Sequence, residues 1–264
     1  MSYNIQQFYS MNKTSTQTIT TSTTTTAPDP DLHLYWDANN YSGSGSTMSS
    51  VVSNLVWNIN GAQFIGAPTY SFFFDGVDDF IGGELPWGDP FYREHTIYGT
   101  GSFTVEAWMI RPAVGNTFHG GWQTGATAGA FFSPFFVLGN AGLIFYWDSG
   151  PGGFQEIEYR VQGSVNALTT GNWNHFVFTG TFSNTTTVAL QAWLNGATAA
   201  PGGIGQQTRG NFTSQPTGRY IFGEWGTPVY PLRGQFAYLK LWNRKLTDQE
   251  IIDSYNNTKS RFGL

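Results

Sequence analysis

The segment SFTVEAWMI at residues 102–110 alternates along its whole length. Phe103, Val105, Ala107 and Met109 fall on one side, and Thr104, Glu106 and Trp108 on the other. A period of two belongs to a strand with two distinct faces and does not suit an amphipathic helix. The same enrichment in β-branched and aromatic residues recurs in LHLYW (32–36), HFVFTGTF (175–182), TVALQAWL (187–194) and FAYLKLW (236–242). In the last of these, Ala237, Leu239 and Leu241 are expected opposite Phe236, Tyr238 and Trp242. TVALQAWL runs into Asn195-Gly196, a dipeptide that tolerates positive φ at both positions and so predicts a two-residue hairpin. Glycine and proline punctuate the intervals, predicting long loops at 37–70, 85–101, 112–133 and 196–218. One helix is specified, in LTDQEIIDSYN (246–256). Thr247 is its N-cap, Glu250 completes a capping box, and Leu246 and Ile251 form a hydrophobic staple across it. Asp248 and Glu250 suit the positive end of the helix dipole. The pattern predicts an all-β, antiparallel sandwich with one short C-terminal helix.

Residues 1–31 stand apart. KTSTQTITTSTTTTAPDPD (13–31) has no periodicity and little to bury, which predicts an extended, flexible N-terminal arm ahead of a single domain at 32–264. Threonine has high β-propensity, so such an arm can order as an added strand on a neighbour. The domain itself is 17% aromatic across the chain and only 11% charged, against about 25% in an average soluble domain. Its core is therefore Trp, Phe and Tyr, and its surface Ser, Thr, Asn, Gln and Gly. A net charge of −5 argues against nucleic-acid and anionic-membrane partners, which need a basic face. The absence of cysteine removes disulfides and thiol chemistry. The start MSYNIQQFYSMNKTST lacks the basic and apolar regions of a signal peptide, and no apolar run approaches the roughly 18 residues of a membrane helix. The expectation is a protein kept in the cytosol of its producer, with no membrane insertion.

The densest polar chemistry lies in SFFFDGVDDFIGG (71–83). Asp75-Gly76 is good turn chemistry. Asp75, Asp78 and Asp79 are also candidate calcium ligands, although their spacing is not that of an EF-hand loop. Glu156 and Glu158 alternate on FQEIEYRV and share a strand face, the spacing a pair of glycosidase carboxylates needs. His33, His95, His119 and His175 show no metal-binding spacing. Sugars stack on aromatic rings, and loop aromatics are present at Trp87, Tyr92, Trp122, Trp225 and Tyr230, which makes these the candidate glycan contacts.

Several segments taken together resemble the laminin-G-like, concanavalin-A-like jelly-roll domains. They are FDGVDDFI (74–81), SFTVEAWM (102–109), GNWNHFVFTGTF (171–182), LNGATAA (194–200) and GQFAYLKLWNRKLTDQEI (234–251). The resemblance implies a jelly-roll over residues 32–264, in a group that holds lectins, adhesion modules and glycanases. Some members bind calcium at one rim. His175 stands where the family commonly has W-x-H, which implies a hydrogen bond inside the sandwich. The group's glycanases carry E-x-D-x-(x)-E on one strand. Here the middle acid is Glu158, and Arg160 and Val161 follow where the third would stand, so no catalytic residues are expected. The tail YNNTKSRFGL (255–264) resembles proteins of tailed bacteriophages. That resemblance implies a non-enzymatic virion structural protein, in a capsid decoration or a tail or fibre. It would be assembled in the host cytoplasm, held to other virion proteins by its arm, and displayed towards cell-surface glycans, with a homo-oligomer open. The alternatives are a stand-alone lectin-like module and, less favoured, a glycanase.

Overall fold

The computed structural model describes residues 29–85, 100–110, 119–124, 132–139, 142–147, 157–161, 171–184, 187–199, 201–204, 218–222 and 233–264. In chain order the strands are β1 (Leu32–Asp37), β2 (Thr47–Ser49), β3 (Val56–Asn60), β4 (Gln63–Ile65), β5 (Ser71–Asp75) and β6 (Phe80–Leu85). They continue with β7 (Ser102–Ile110), β8 (His119–Thr124), β9 (Phe132–Gly139), β10 (Gly142–Trp147), β11 (Ile157–Val161) and β12 (Trp173–Asn184). The last are β13 (Thr187–Leu194), β14 (Ala197–Ala199), β15 (Pro201–Ile204), β16 (Gly218–Phe222) and β17 (Arg233–Trp242). Helix α1 (Asp248–Thr258) and a 3-10 turn (Lys259–Phe262) close the chain.

The strands form two antiparallel sheets. The first runs β14-β13-β12-β7-β17-β5-β4, with β1 also paired to β17, and the second runs β15-β11-β10-β9-β8-β16-β6-β3-β2. Between them lies one apolar core. Phe103, Val105, Ala107 and Met109 of β7 meet Phe176 and Phe178 of β12 there, together with Met48, Trp57 and Ile81 from the second sheet. Trp36 of β1 stacks on Trp57 of β3 at 6.2 Å and packs on Phe72 at 5.5 Å, which ties the sheets together. The all-β antiparallel sandwich and its single short helix match the expectation from the sequence. Most of the expected N-terminal arm lies outside the described residues.

The first sheet is buried on both faces at its centre. Seven successive residues of β7, Phe103 to Met109, are buried. The outer face is covered by α1 and the chain end, giving two further clusters around Trp108 and Trp193. The capping box is formed as expected: Thr247 Oγ1 accepts from the Glu250 amide, and the Glu250 carboxylate accepts from the Thr247 amide at 2.7 Å. Leu246 and Ile251 share one buried cluster beneath it. The hairpin at Asn195 (φ 52°) and Gly196 (φ 77°) is left-handed at both positions, and Leu194 pairs with Ala197 across it.

Two expectations need correction. The expected alternation of FAYLKLW is broken by a β-bulge between Phe236 and Tyr238 against β7. The extra residue shifts the phase, so Phe236 joins Leu239 and Leu241 in the inner core while Ala237 and Tyr238 face the helix. The intervals 37–70, 112–133 and 196–218 are not simply loops. They hold β2, β3 and β4, β8 with the start of β9, and β14 and β15. Most of these are short edge strands of three to six residues, too short to show a period above their Gly and Asn content.

Gly180 of β12 lies directly across from Phe103. A Cβ there would come 2.1 Å from the Phe103 ring. Gly180→Ala is expected to destabilise the domain by about 1–3 kcal/mol through overpacking. The check is equilibrium urea unfolding, with a lower midpoint and an unchanged slope.

Candidate functional site

Two runs that otherwise read as apolar each carry one charge, Glu106 in SFTVEAWMI and Lys240 in FAYLKLW, and the register places them opposite one another. On the helix-covered face the neighbours two residues along are His175 and Tyr238, both paired across from Trp108. Cross-strand and diagonal neighbours of this kind are within reach of long side chains. Glu106 is fully buried, and its Oε1 accepts from Tyr238 Oη at 2.5 Å, Ser254 Oγ at 2.6 Å and His175 Nε2 at 3.0 Å. Lys240 Nζ lies 3.5 Å away, ringed by Tyr35, Tyr238 and Trp242. Burial pushes the Glu106 carboxyl up, but the Lys240 charge and the bonds from His175 and Ser254 outweigh it. They hold the group well below the usual carboxylate range. An ionised carboxylate only accepts, so His175 Nε2 carries the proton of that bond. Burial, and then the adjacent carboxylate, raise the Tyr238 phenol well above its ordinary value, so it stays a donor.

Ser254 comes from α1, so the carboxylate bridges sheet and helix. The chain end is fastened beside it. Trp108 stacks on Phe262 at 4.1 Å and on Tyr255 at 5.9 Å, and its Nε1 donates to Thr258 Oγ1 at 3.0 Å. Arg261 forms a two-nitrogen ion pair with Asp37 at 2.8 and 2.9 Å and donates to the carbonyls of Thr69 and Tyr70. Gly263, at φ 74°, ends the 3-10 turn by donating back to Lys259. The Tyr, Lys, Arg, Phe and Gly of the tail motif thus all have structural contacts, since Lys259 sits over the Tyr255 ring. At the other edge Arg244 grips both oxygens of Glu250 at 2.7 and 3.0 Å and also binds Asp29. The Arg244 bond, helped by the Thr247 amide, outweighs burial and lowers Glu250 to about 2.

The aspartate stretch folds as a turn between β5 and β6. Gly76 has φ 85°, Val77 N donates to Asp75 Oδ1 at 2.7 Å, and Asp75 N donates to Asp79 Oδ2 at 2.7 Å. Asp79 is buried against Gly61, where a Cβ would meet its Oδ1 at 2.0 Å. One oxygen from each of Asp75, Asp78 and Asp79 lies within 4.8 Å of the others. Calcium takes roughly six to eight oxygens, and one oxygen from each aspartate supplies three of them. Burial first, and the charges of Asp75 and Asp78 next, push Asp79 up.

Trp87, Tyr92, Trp225 and Tyr230 lie outside the described residues, as do His95 and Glu156. Trp122 and His119 are on β8 and Glu158 is on β11, where only the backbone is described. His175 does make the expected hydrogen bond, but towards the helix rather than between the sheets. One strand's alternation merely places Glu106 on a polar face, and the sequence signal for the hub is a lone charge inside each of the runs SFTVEAWMI and FAYLKLW.

Residues 90–252, more than half of the chain, match the family model of the concanavalin A-like lectin/glucanases superfamily, laminin G type. The chain belongs to this superfamily. Its similarity to solved structures is one of fold. The binding domain of botulinum neurotoxin DC in complex with rat synaptotagmin II aligns with a TM-score of 0.61 at 14% identity, over 86% of this chain and 52% of that one. The same toxin domain in complex with SialylT aligns at 0.59 and 12%, over 86% and 52%. Trypanosoma rangeli sialidase with 2,3-difluorosialic acid aligns at 0.60 and 17%, over 89% and 34%. The chain thus spans about half of the toxin structures and a third of the sialidase. No curated protein matches it by sequence.

Glu106 and Glu250 both have folded-state values below their unfolded ones. Their contribution is therefore full above about pH 4.3 and is lost as pH falls through the folded values. For Glu250 that window runs down to about 2, and for Glu106 it lies in the same acid direction. Glu106→Gln is expected to cost about 3–5 kcal/mol at neutral pH by breaking a buried pair. It should also flatten the fall of melting temperature below about pH 4. Calorimetry of both proteins across pH 2–7, roughly the carboxylate range and above, measures both effects.

Proposed function

We propose that this protein is a non-enzymatic, carbohydrate-binding jelly-roll displayed on a bacteriophage particle, held there by its N-terminal arm. Membership of the lectin/glucanase superfamily over residues 90–252 is the observation that carries the binding half. It is supported by a similarly folded toxin binding domain solved with SialylT, and by the likeness in fold to a third of a sialidase that was itself solved with 2,3-difluorosialic acid. The aromatics Trp87, Tyr92, Trp225 and Tyr230, with Trp122 on β8 rather than in the expected loop, supply the stacking faces a glycan needs. Support for the virion half comes from the tail sequence YNNTKSRFGL and the Thr-rich arm. Many copies on one particle convert weak sugar contacts into useful avidity. The non-enzymatic reading follows from Arg160 and Val161 standing where a third acid would be needed. A calcium ion at Asp75, Asp78 and Asp79 belongs to the same reading as a rim ligand, and a calcium titration that leaves the melting temperature unmoved would remove it.

Limited proteolysis with mass spectrometry on free protein and on particles tests the arm. Residues 1–31 are expected to be cut in free protein and protected in particles, and absence of the protein from particles defeats the virion reading. On a glycan array the free domain is expected to bind without cleaving. Cleavage that disappears in Glu156→Gln would make it a glycanase instead.

A further inference from the structure

A cleft of about 330 Å³ opens between β1, β17 and α1, on the helix-covered face of the first sheet. It contains none of the loop aromatics discussed above, and Glu106 reaches its lining. Oε1 of that carboxylate takes three hydrogen bonds, while Oε2 is buried with no partner. A buried charged oxygen without a donor is costly and needs an explanation.

The lining restricts what the donor can be. Asp29, Glu106 and Glu250 set three negative charges against Lys240 and Arg244, so an anionic ligand is disfavoured. A cationic amine would meet Lys240 Nζ, already 3.5 Å from the same carboxylate. A neutral group bearing O–H donors meets neither penalty. Leu32, Trp242 and Leu246 give the cleft apolar walls; Ser254 Oγ, whose one proton goes to Glu106, can still accept, and Arg244 keeps an N–H beyond its bonds to Glu250 and Asp29. Apolar walls with a few converging polar groups suit a ring with one apolar face and a hydroxyl edge.

We infer that this cleft binds a neutral, polyhydroxylated ring the size of one sugar, with a hydroxyl donating to Glu106 Oε2.

The test is a titration of isotope-labelled full-length protein with glucose, galactose, mannose and N-acetylglucosamine, with glycerol as control, followed by amide and indole NMR shifts. Saturable shifts are expected at the Trp242 indole N–H and the Ser254 amide for at least one sugar, with a Kd on the order of 1 mM. Leu32→Trp, which fills the cleft without touching the Glu106 bonds, should weaken that binding at least about tenfold. No saturable shift at Trp242 with any sugar overturns the inference. So does an equal response to glycerol, which would mark a hole for any small polyol or water. Sugar binding that persists in a folded Leu32→Trp protein also overturns it. Array binding with a silent Trp242 would leave the loop reading standing without the cleft, and shifts at Trp242 with a silent array would do the reverse.

Discussion

The outer half of this structure depends on one buried carboxylate. Glu106 sits in the middle of a strand that is covered on both faces, and it is kept ionised there by Lys240 opposite and by three donors on one oxygen. Desolvation alone would neutralise it. Paired, it becomes the point where β7, β12, β17 and α1 meet. A short amphipathic helix gains little from propensity by itself and is held by what it packs on. Here it packs on aromatic rings and donates Ser254 into the carboxylate.

The chain end extends the same logic. Trp108 is the next outward-facing residue after Glu106, and it carries the stacked Phe262 and Tyr255. Arg261 then reaches across to Asp37 and to the carbonyls at Thr69 and Tyr70, binding the tail to the loop that precedes β5. Tail residues that stand out in the sequence as a family mark therefore have a physical task in the fold. That task is independent of where the protein is displayed. Arg244 performs a comparable one for residues 29–31, which are joined to the domain through Asp29 and Asp31.

Polar chemistry in this sparsely charged, aromatic protein is thus spent mainly on fastening. The aspartates at 75–79 show this in miniature. Asp75 and Asp79 already serve the amides of their own turn, and Asp79 fills the space that a glycine leaves open. Three buried polar atoms of the first sheet stay without a partner: Glu106 Oε2, His175 Nδ1 and Thr179 Oγ1.

The sequence by itself determined whatever rests on neighbours in the chain. Strand alternation in 102–110, the Asn195-Gly196 hairpin, the Thr247–Glu250 capping box and the Asp75-Gly76 turn all follow from local sterics and hydrogen bonding, which a short window contains. The sandwich class was legible for the same reason, and the superfamily through the resemblance of several segments taken together. Tertiary structure alone decided the rest. The bulge at Ala237 reversed the faces of one strand, because a register shift is set by the partner strand and not by the strand itself. Of the short strands within 37–70 and 196–218, β2, β4, β14 and β15 exist only as edges added to a sheet. Glu106, Lys240, His175, Tyr238 and Ser254 lie on four separate elements, and only the pairing of β12, β7 and β17 beneath α1 brings them to one point. An alternating pattern says that a glutamate faces away from the core. It does not say that a helix will cover it.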